Sequence, residues 1–227
     1  MPEPKPAGVR LALPVIAQLL FFSMPFLAAG TIRWTRGWIW IGMAVFTFSV
    51  FFVVARVKNP GFLKTRLGTR MPTELFDRVF MTLYMIALVA FFVVAGFDAR
   101  WGWSALSSGW LYAGLALHLA AMVPLGAAVA TNPYLEGTVR IQSERGHVAV
   151  TSGPYAVVRH PMYAGVAMMF LAWPLVLGSL WAYIPGVCIV ALFVFRTANE
   201  DRILRRELPG YEDYTRRTRY RLVPGLW

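Results

Sequence analysis

The chain reads as an all-α integral membrane protein of about six transmembrane helices. Two observations carry this reading: six apolar runs, and basic residues that alternate from one flank to the next. A third agrees with them. The 227 residues are 58% hydrophobic with a mean hydropathy of +0.55, too apolar for an ordinary soluble domain.

The apolar runs cover 11–29, 38–55, 79–97, 111–130, 162–177 and 180–195. A membrane span takes about 20 mostly apolar residues, with a range of roughly 17–25. The first four runs qualify. The fifth is short, so the fifth and sixth are either two full spans or a helical hairpin joined at Gly178-Ser179. Lys5 and Arg10 ahead of the first run resemble a leader. Cleavage there would spoil the charge alternation, so the run is read as a retained span. One domain therefore covers 1–227, with four helices in 1–130 and a site-bearing region in 131–227.

The net charge of +11 is distributed by side. Lys plus Arg number 2, 6, 3 and 8 in the flanking segments of one side, and 2, 1 and 0 in those of the other. This asymmetry places both termini and the 131–160 loop in the cytoplasm. Basic residues that flank spans, and form no separate domain, argue against a nucleic-acid partner and for anionic lipid heads.

The loops have patterns of their own. The 58–78 segment mixes cations with Phe62, Leu63, Leu67, Leu75 and Phe76, as an interfacial helix would. Val139 and Ile141, then Val148 and Val150, alternate with polar residues and predict a small β-hairpin in the 131–160 loop. The lone Cys188 excludes an intrachain disulfide and a cysteine metal cluster, and reads as a small buried residue; no metal site is expected.

The densest chemistry lies at 153–163. Gly153-Pro154 forms a turn, Arg159-His160 a cationic pair, and Pro161 suits the first turn of the fifth helix. The N–H groups that follow are a ready anion site. The sixth helix ends in Arg196, Asn199, Glu200, Asp201 and Arg202. Carboxylates at a membrane helix end are costly unless paired or solvated. If the two helices run antiparallel, cations and N–H donors meet carboxylates at one end, which suits a zwitterion such as the amino-acid end of S-adenosylmethionine. Alone, His160 would be an interfacial cap, Tyr155 and Tyr163 belt anchors, His118 a packed histidine, and Glu136 and Glu144 solvated loop charges. The basic, aromatic tail would be a lid or a rest on lipid heads.

These residues resemble the isoprenylcysteine carboxyl methyltransferase family and its bacterial relatives, themselves similar to phospholipid N-methyltransferases. The shared pattern is Gly153-Pro154-Tyr155, then His160-Pro161-x-Tyr163-x-Gly165, then an acidic pair, Glu200-Asp201, with Leu204, Gly210, Tyr211, Tyr214 and Pro224. It covers about 140–227. The pair is Glu-Asp where many relatives have Glu-Glu, and Gly210 is followed at once by tyrosine.

The resemblance implies an S-adenosyl-L-methionine-dependent methyltransferase, in a bacterial inner membrane with a cytoplasmic active site. Gly153, Tyr155, Val158, Arg159, His160, Pro161 and Tyr163 would form one wall of the cofactor site, and Glu200 and Asp201 the other. Glu200 would hold the cofactor's amino group. The acceptor would be lipophilic and arrive through the bilayer. An isoprenylcysteine-like carboxylate is expected first, oriented by Arg196 or Arg202. A phospholipid amine or small thiol is the alternative; an amine would need a base, for which His160 is placed. A membrane NADPH-dependent reductase related to sterol reductases, and a non-enzymatic membrane protein, remain as other classes.

Overall fold

The computed structural model describes residues 20–62, 75–136 and 140–227. Seven helices organise them: α1 (Leu20–Ala29), α2 (Thr35–Lys58), α3 (Leu75–Trp101), α4 (Ser108–Thr131), α5 (Pro161–Leu177), α6 (Tyr183–Glu207) and α7 (Tyr211–Arg217). Among the described residues, four helices are long and apolar enough to cross a membrane: α2, α3, α4 and α6. Helices α1 and α5 are shorter apolar helices. At 17 residues α5 is about 25 Å long, short of the ~30 Å hydrocarbon core. Half of the first apolar run and most of the expected interfacial helix at 58–78 lie outside the described residues.

The apolar core runs between the helices as a ladder of rings. Trp40 of α2, Phe91 and Phe92 of α3, and Phe170 of α5 are buried together with Ile189 of α6. Trp40 and Phe92 lie 4.6 Å apart, Phe91 and Phe170 5.6 Å, and Trp173 meets all four. Helices α2, α3 and α5 are thereby held in one body. Cys188 does not join them: it is exposed on the outer face of α6.

Helices α4 and α5 pack most intimately, because glycines remove the side chains between them. A Cβ on Gly165 would lie 2.5 Å from Leu125 Cγ and 2.9 Å from the Ala121 carbonyl. A Cβ on Gly114 would meet Leu175, Val176 and Ala172 of α5 within about 3 Å. Between them lies a polar cluster within the apolar bundle. Thr47 donates to the Met43 carbonyl at 2.8 Å and so must accept from His118 Nε2, also at 2.8 Å. Trp173 Nε1 donates to His118 Nδ1 at 3.2 Å. Both ring nitrogens are satisfied with His118 neutral, so it is a packed histidine.

The α5–α6 connection is a tight reversal. Gly178 takes φ +79° as the cap of α5, and its N–H and that of Ser179 both donate to the Pro174 carbonyl at 2.9 Å. Ser179 Oγ then donates to the buried Asp98 of α3 at 2.6 Å. Helices α5 and α6 therefore run antiparallel, and the start of α5 and the end of α6 share one end of the bundle.

No strand occurs among the described residues of the 131–160 loop, which corrects the expected β-hairpin. The loop instead makes 3₁₀ turns at Ser143–Arg145 and Gly153–Ala156. Side chains satisfy its backbone in place of a ladder. The buried Gln142 side chain donates to the Tyr134 carbonyl at 2.6 Å, and Gln142 Oε1 accepts from Arg145. Gly146, at φ +62°, reverses the chain so that His147 stacks on Tyr134 at 4.3 Å.

Candidate cofactor cleft

Three segments meet at the end of the bundle where α5 starts and α6 ends: the 132–150 loop, the 153–163 stretch, and the α6 terminus with α7. Together they line a single cleft. Beneath it lies an aromatic cluster of Ala128, Tyr155, Leu208, Tyr211 and Tyr214.

Its frame is ionic. Asp201, 1% exposed, accepts from Arg159 through both oxygens, Nε at 2.7 Å and Nη2 at 3.1 Å. The same carboxylate accepts from Arg221 Nε at 3.0 Å, Arg205 Nε at 3.3 Å and the Tyr211 hydroxyl at 3.1 Å. Arg159 uses its remaining Nη1 on the Thr218 and Arg219 carbonyls, at 2.8 and 2.7 Å. Backbone N–H groups of Arg159 and His160 donate to Tyr220 and Arg221, both at 2.9 Å. The tail 218–222 is thus clasped against the entry to α5 as a fixed wall.

The tyrosines of this frame stay protonated. Burial pushes the Tyr214 phenol up to about 12, and Tyr155 and Tyr211 are likewise raised by burial. Tyr214 donates to the Tyr155 carbonyl at 2.7 Å, and Asn132 Nδ2 donates to the Tyr155 hydroxyl at 3.0 Å.

Two groups face the cleft with chemistry to spare. Glu200 lines it, with Oε2 accepting from the Tyr163 hydroxyl at 2.7 Å. His160, 6% exposed, borders it and stacks parallel to Tyr163. Its Nε2 lies 3.6 Å from Asp201 Oδ1 and has no hydrogen-bond partner. Met162 and Tyr163 also line the cleft, and their N–H groups precede the first intrahelical bond, from Ala164 to the His160 carbonyl at 3.1 Å. One side of the cleft thus offers N–H donors at a helix start, and the other a carboxylate.

Of the residues expected from sequence, Tyr155, Arg159, His160, Tyr163 and Glu200 line the cleft. Gly153, Val158, Pro161 and Asp201 do not; they set its turn, its helix start and its ionic frame. Arg196 lies outside the lining, 3% exposed, donating to Asp77 at 2.9 Å and to the Tyr163 hydroxyl at 3.0 Å. Arg202 is exposed and away from the lining. The cleft also gathers Met162, Leu204 and Leu208, with Tyr211 and Tyr214 of α7, and residues not singled out by sequence: Asn132, Tyr134, Arg140 and His147. Glu136 belongs with them; its side chain is 15% exposed and paired to Arg140 at 2.8 Å, rather than freely solvated. A polar, aromatic cluster just past α4, Asn132-Pro133-Tyr134, was the available signal for this wall.

A family model described as phospholipid methyltransferase matches residues 111–208. The chain is 33% identical over 100 residues to the Delta(14)-sterol reductase TM7SF2 of Mus musculus, covering 43% of this chain and 24% of the relative. It is 33% identical over 101 residues to the cobalt-zinc-cadmium resistance protein CzcN of Cupriavidus metallidurans, covering 41% and 44%. It is 26% identical over 164 residues to the nickel-cobalt-cadmium resistance protein NccN of Alcaligenes xylosoxydans xylosoxydans, covering 69% and 70%. The chain spans less than half the length of the first two relatives. The segment that matches the phospholipid methyltransferase model contains most of α4, the 132–160 loop, α5 and α6, and with them Glu200, His160 and most of the cleft.

Proposed function

We propose that the protein is an integral-membrane methyltransferase dependent on S-adenosyl-L-methionine, with the cofactor in the cleft described above. The observation that carries this is the juxtaposition of Glu200 with the start of α5 across one cleft, inside a segment similar to phospholipid methyltransferases. Glu200 would hold the amino group and the Met162 and Tyr163 N–H groups the carboxylate. Leu204, Leu208, Tyr211 and Tyr134 would pack against the adenosine. When bound, the cofactor supplies an electrophilic methyl on a sulfonium. The chain's part is to orient the acceptor, exclude water and remove a proton where needed, and positioning alone contributes roughly 7–11 kcal/mol. The charge asymmetry favours a cytoplasmic cleft, with both termini on that side.

The geometry favours an amine or thiol acceptor over the isoprenylcysteine-like carboxylate first expected. Among the described residues, the arginines in and around the cleft are committed. Arg159 is held by Asp201, Arg196 by Asp77, and Arg140 by Glu136 and Glu144. A carboxylate acceptor would have to displace one of these pairs. An amine or thiol needs a proton acceptor, and His160 beside Asp201 provides one. Incubation with methyl-labelled S-adenosylmethionine and three acceptors (an aminophospholipid, an alkyl thiol and farnesylcysteine) is expected to label one of the first two. Loss of that label in His160→Ala would support the base. Labelling of farnesylcysteine alone would overturn the acceptor assignment.

The similarity to a sterol reductase supports a second reading, in which the same cleft holds a reduced nicotinamide. Binding of NADPH without binding of S-adenosylmethionine would establish it.

A further inference from the structure

Glu200 does not stand alone at the cleft; it ends a buried chain that starts two helices away. Asp77 lies near the start of α3 and Arg196 on α6, 119 positions apart, and their side chains are each 3% exposed. Arg196 Nη1 donates to Asp77 at 2.9 Å, and Arg196 Nε donates to the Tyr163 hydroxyl at 3.0 Å. The guanidinium also lies over the Phe80 ring at 4.5 Å. Tyr163 in turn donates to Glu200 Oε2 at 2.7 Å.

The direction of this chain is fixed by the inventory of protons. A guanidinium only donates, so the Tyr163 oxygen must accept from Arg196. The single phenolic proton is then left for Glu200. Each member constrains the next: Asp77 fixes the guanidinium, the guanidinium fixes the hydroxyl, and the hydroxyl fixes one carboxylate oxygen. Stability alone gives a weak reason for such a pair, since a buried ion pair replaced by well-packed apolar residues is often no less stable. A role in aiming Glu200 gives a stronger one.

We propose that Asp77 is a positioning residue for the cofactor-facing carboxylate of Glu200, acting through Arg196 and Tyr163. This rests on the reading that Glu200 holds the ligand's amino group. It makes the first half of the chain, outside the segment similar to phospholipid methyltransferases, part of the site.

The test compares two nucleosides on the full-length protein in detergent: S-adenosylhomocysteine, which carries the amino-acid end, and methylthioadenosine, which lacks it. Asp77→Asn is expected to weaken S-adenosylhomocysteine by about tenfold or more, the scale of one hydrogen bond to a charged group. Methylthioadenosine affinity should stay within about twofold, and Asp77→Glu should restore part of the loss. Equal weakening of both nucleosides would show a merely structural role and overturn the proposal. So would unchanged affinity for both. Should Asp77→Asn not fold, Tyr163→Phe cuts the same link and is held to the same selectivity. Wild-type protein that binds neither nucleoside would overturn the cofactor reading and the proposal with it; wild-type binding without selectivity in the variants would overturn only the proposal.

Discussion

Asp201 and Glu200 are adjacent in sequence and do different work. Asp201 is buried under three arginines and the Tyr211 hydroxyl, while Glu200 lines the cleft. The difference follows from the helix: consecutive residues point about 100° apart, so one carboxylate meets the tail and the other the opening. Removing the charge of Asp201 leaves the buried Arg159 guanidinium without its counter-charge, for which the cost is roughly 3–5 kcal/mol. Asp201→Asn is therefore expected to lower thermal stability in detergent markedly, whereas Glu200→Gln should change it little and act on ligand binding. Similar melting temperatures for the two variants would contradict this division. The residues alone showed an acidic pair, and only the resemblance singled out Glu200 as the ligand-facing member; the burial of Asp201 depends on Arg159 and Arg221, brought in from 42 positions before and 20 after.

The elements owe their placement to close approach as much as to apolarity. The apolar runs of α4 and α5 are legible, but their crossing depends on Gly165 and Gly114, whose role appears only when the facing backbone is in view. Gly165→Ala would push a methyl against Leu125 and the Ala121 carbonyl, and overpacking of this kind costs typically about 1–3 kcal/mol. A lowered melting temperature is expected, and no change would mean the helices can part freely. The 132–150 loop was misread as a hairpin because alternation of Val148 and Val150 mimics a strand, while the deciding contacts are made by polar side chains. His147 is one of them. Its Nδ1 accepts from the Gln142 N–H at 3.3 Å, and burial, then the nearby Arg145 charge, lower its pKa. A histidine held neutral in the fold contributes stability above its unfolded pKa of about 6.5 and loses it as pH falls. Protease cleavage within 140–150 should accelerate below about pH 6, and His147→Gln should flatten that dependence. A pH-independent cleavage rate in the wild type would contradict it.

At the scale of the whole molecule, the bundle has a polar end and a plainer end. The antiparallel α5–α6 pair and the gathering of charge at one end were legible from run lengths and basic-residue alternation. The wall built from the 132–150 loop was not, since its polar side chains meet only through the fold, and α7 was legible only as part of a tail that would be a lid or a rest on lipid heads. Opposite the cleft, Asp98, Ser104 and Ser179 close the bundle with hydrogen bonds of 2.6–2.7 Å. Arg36 there donates to the Leu175 and Leu106 carbonyls. These residues tie α2, α3 and α5 together far from the cleft. Asp98→Ala should therefore lower stability while leaving the affinity of the folded fraction for nucleoside unchanged; a selective loss of affinity would contradict that separation.

The central claim is that this cleft holds S-adenosylmethionine through Glu200. Equilibrium binding of S-adenosylmethionine and of NADPH to the purified protein, wild type and Glu200→Ala, tests it most directly. The account predicts saturable binding of S-adenosylmethionine, none of NADPH, and an affinity loss of about tenfold or more in the variant, the scale of one charge-assisted hydrogen bond. Absence of S-adenosylmethionine binding by a folded wild-type protein, or equal affinity in the variant, would contradict it.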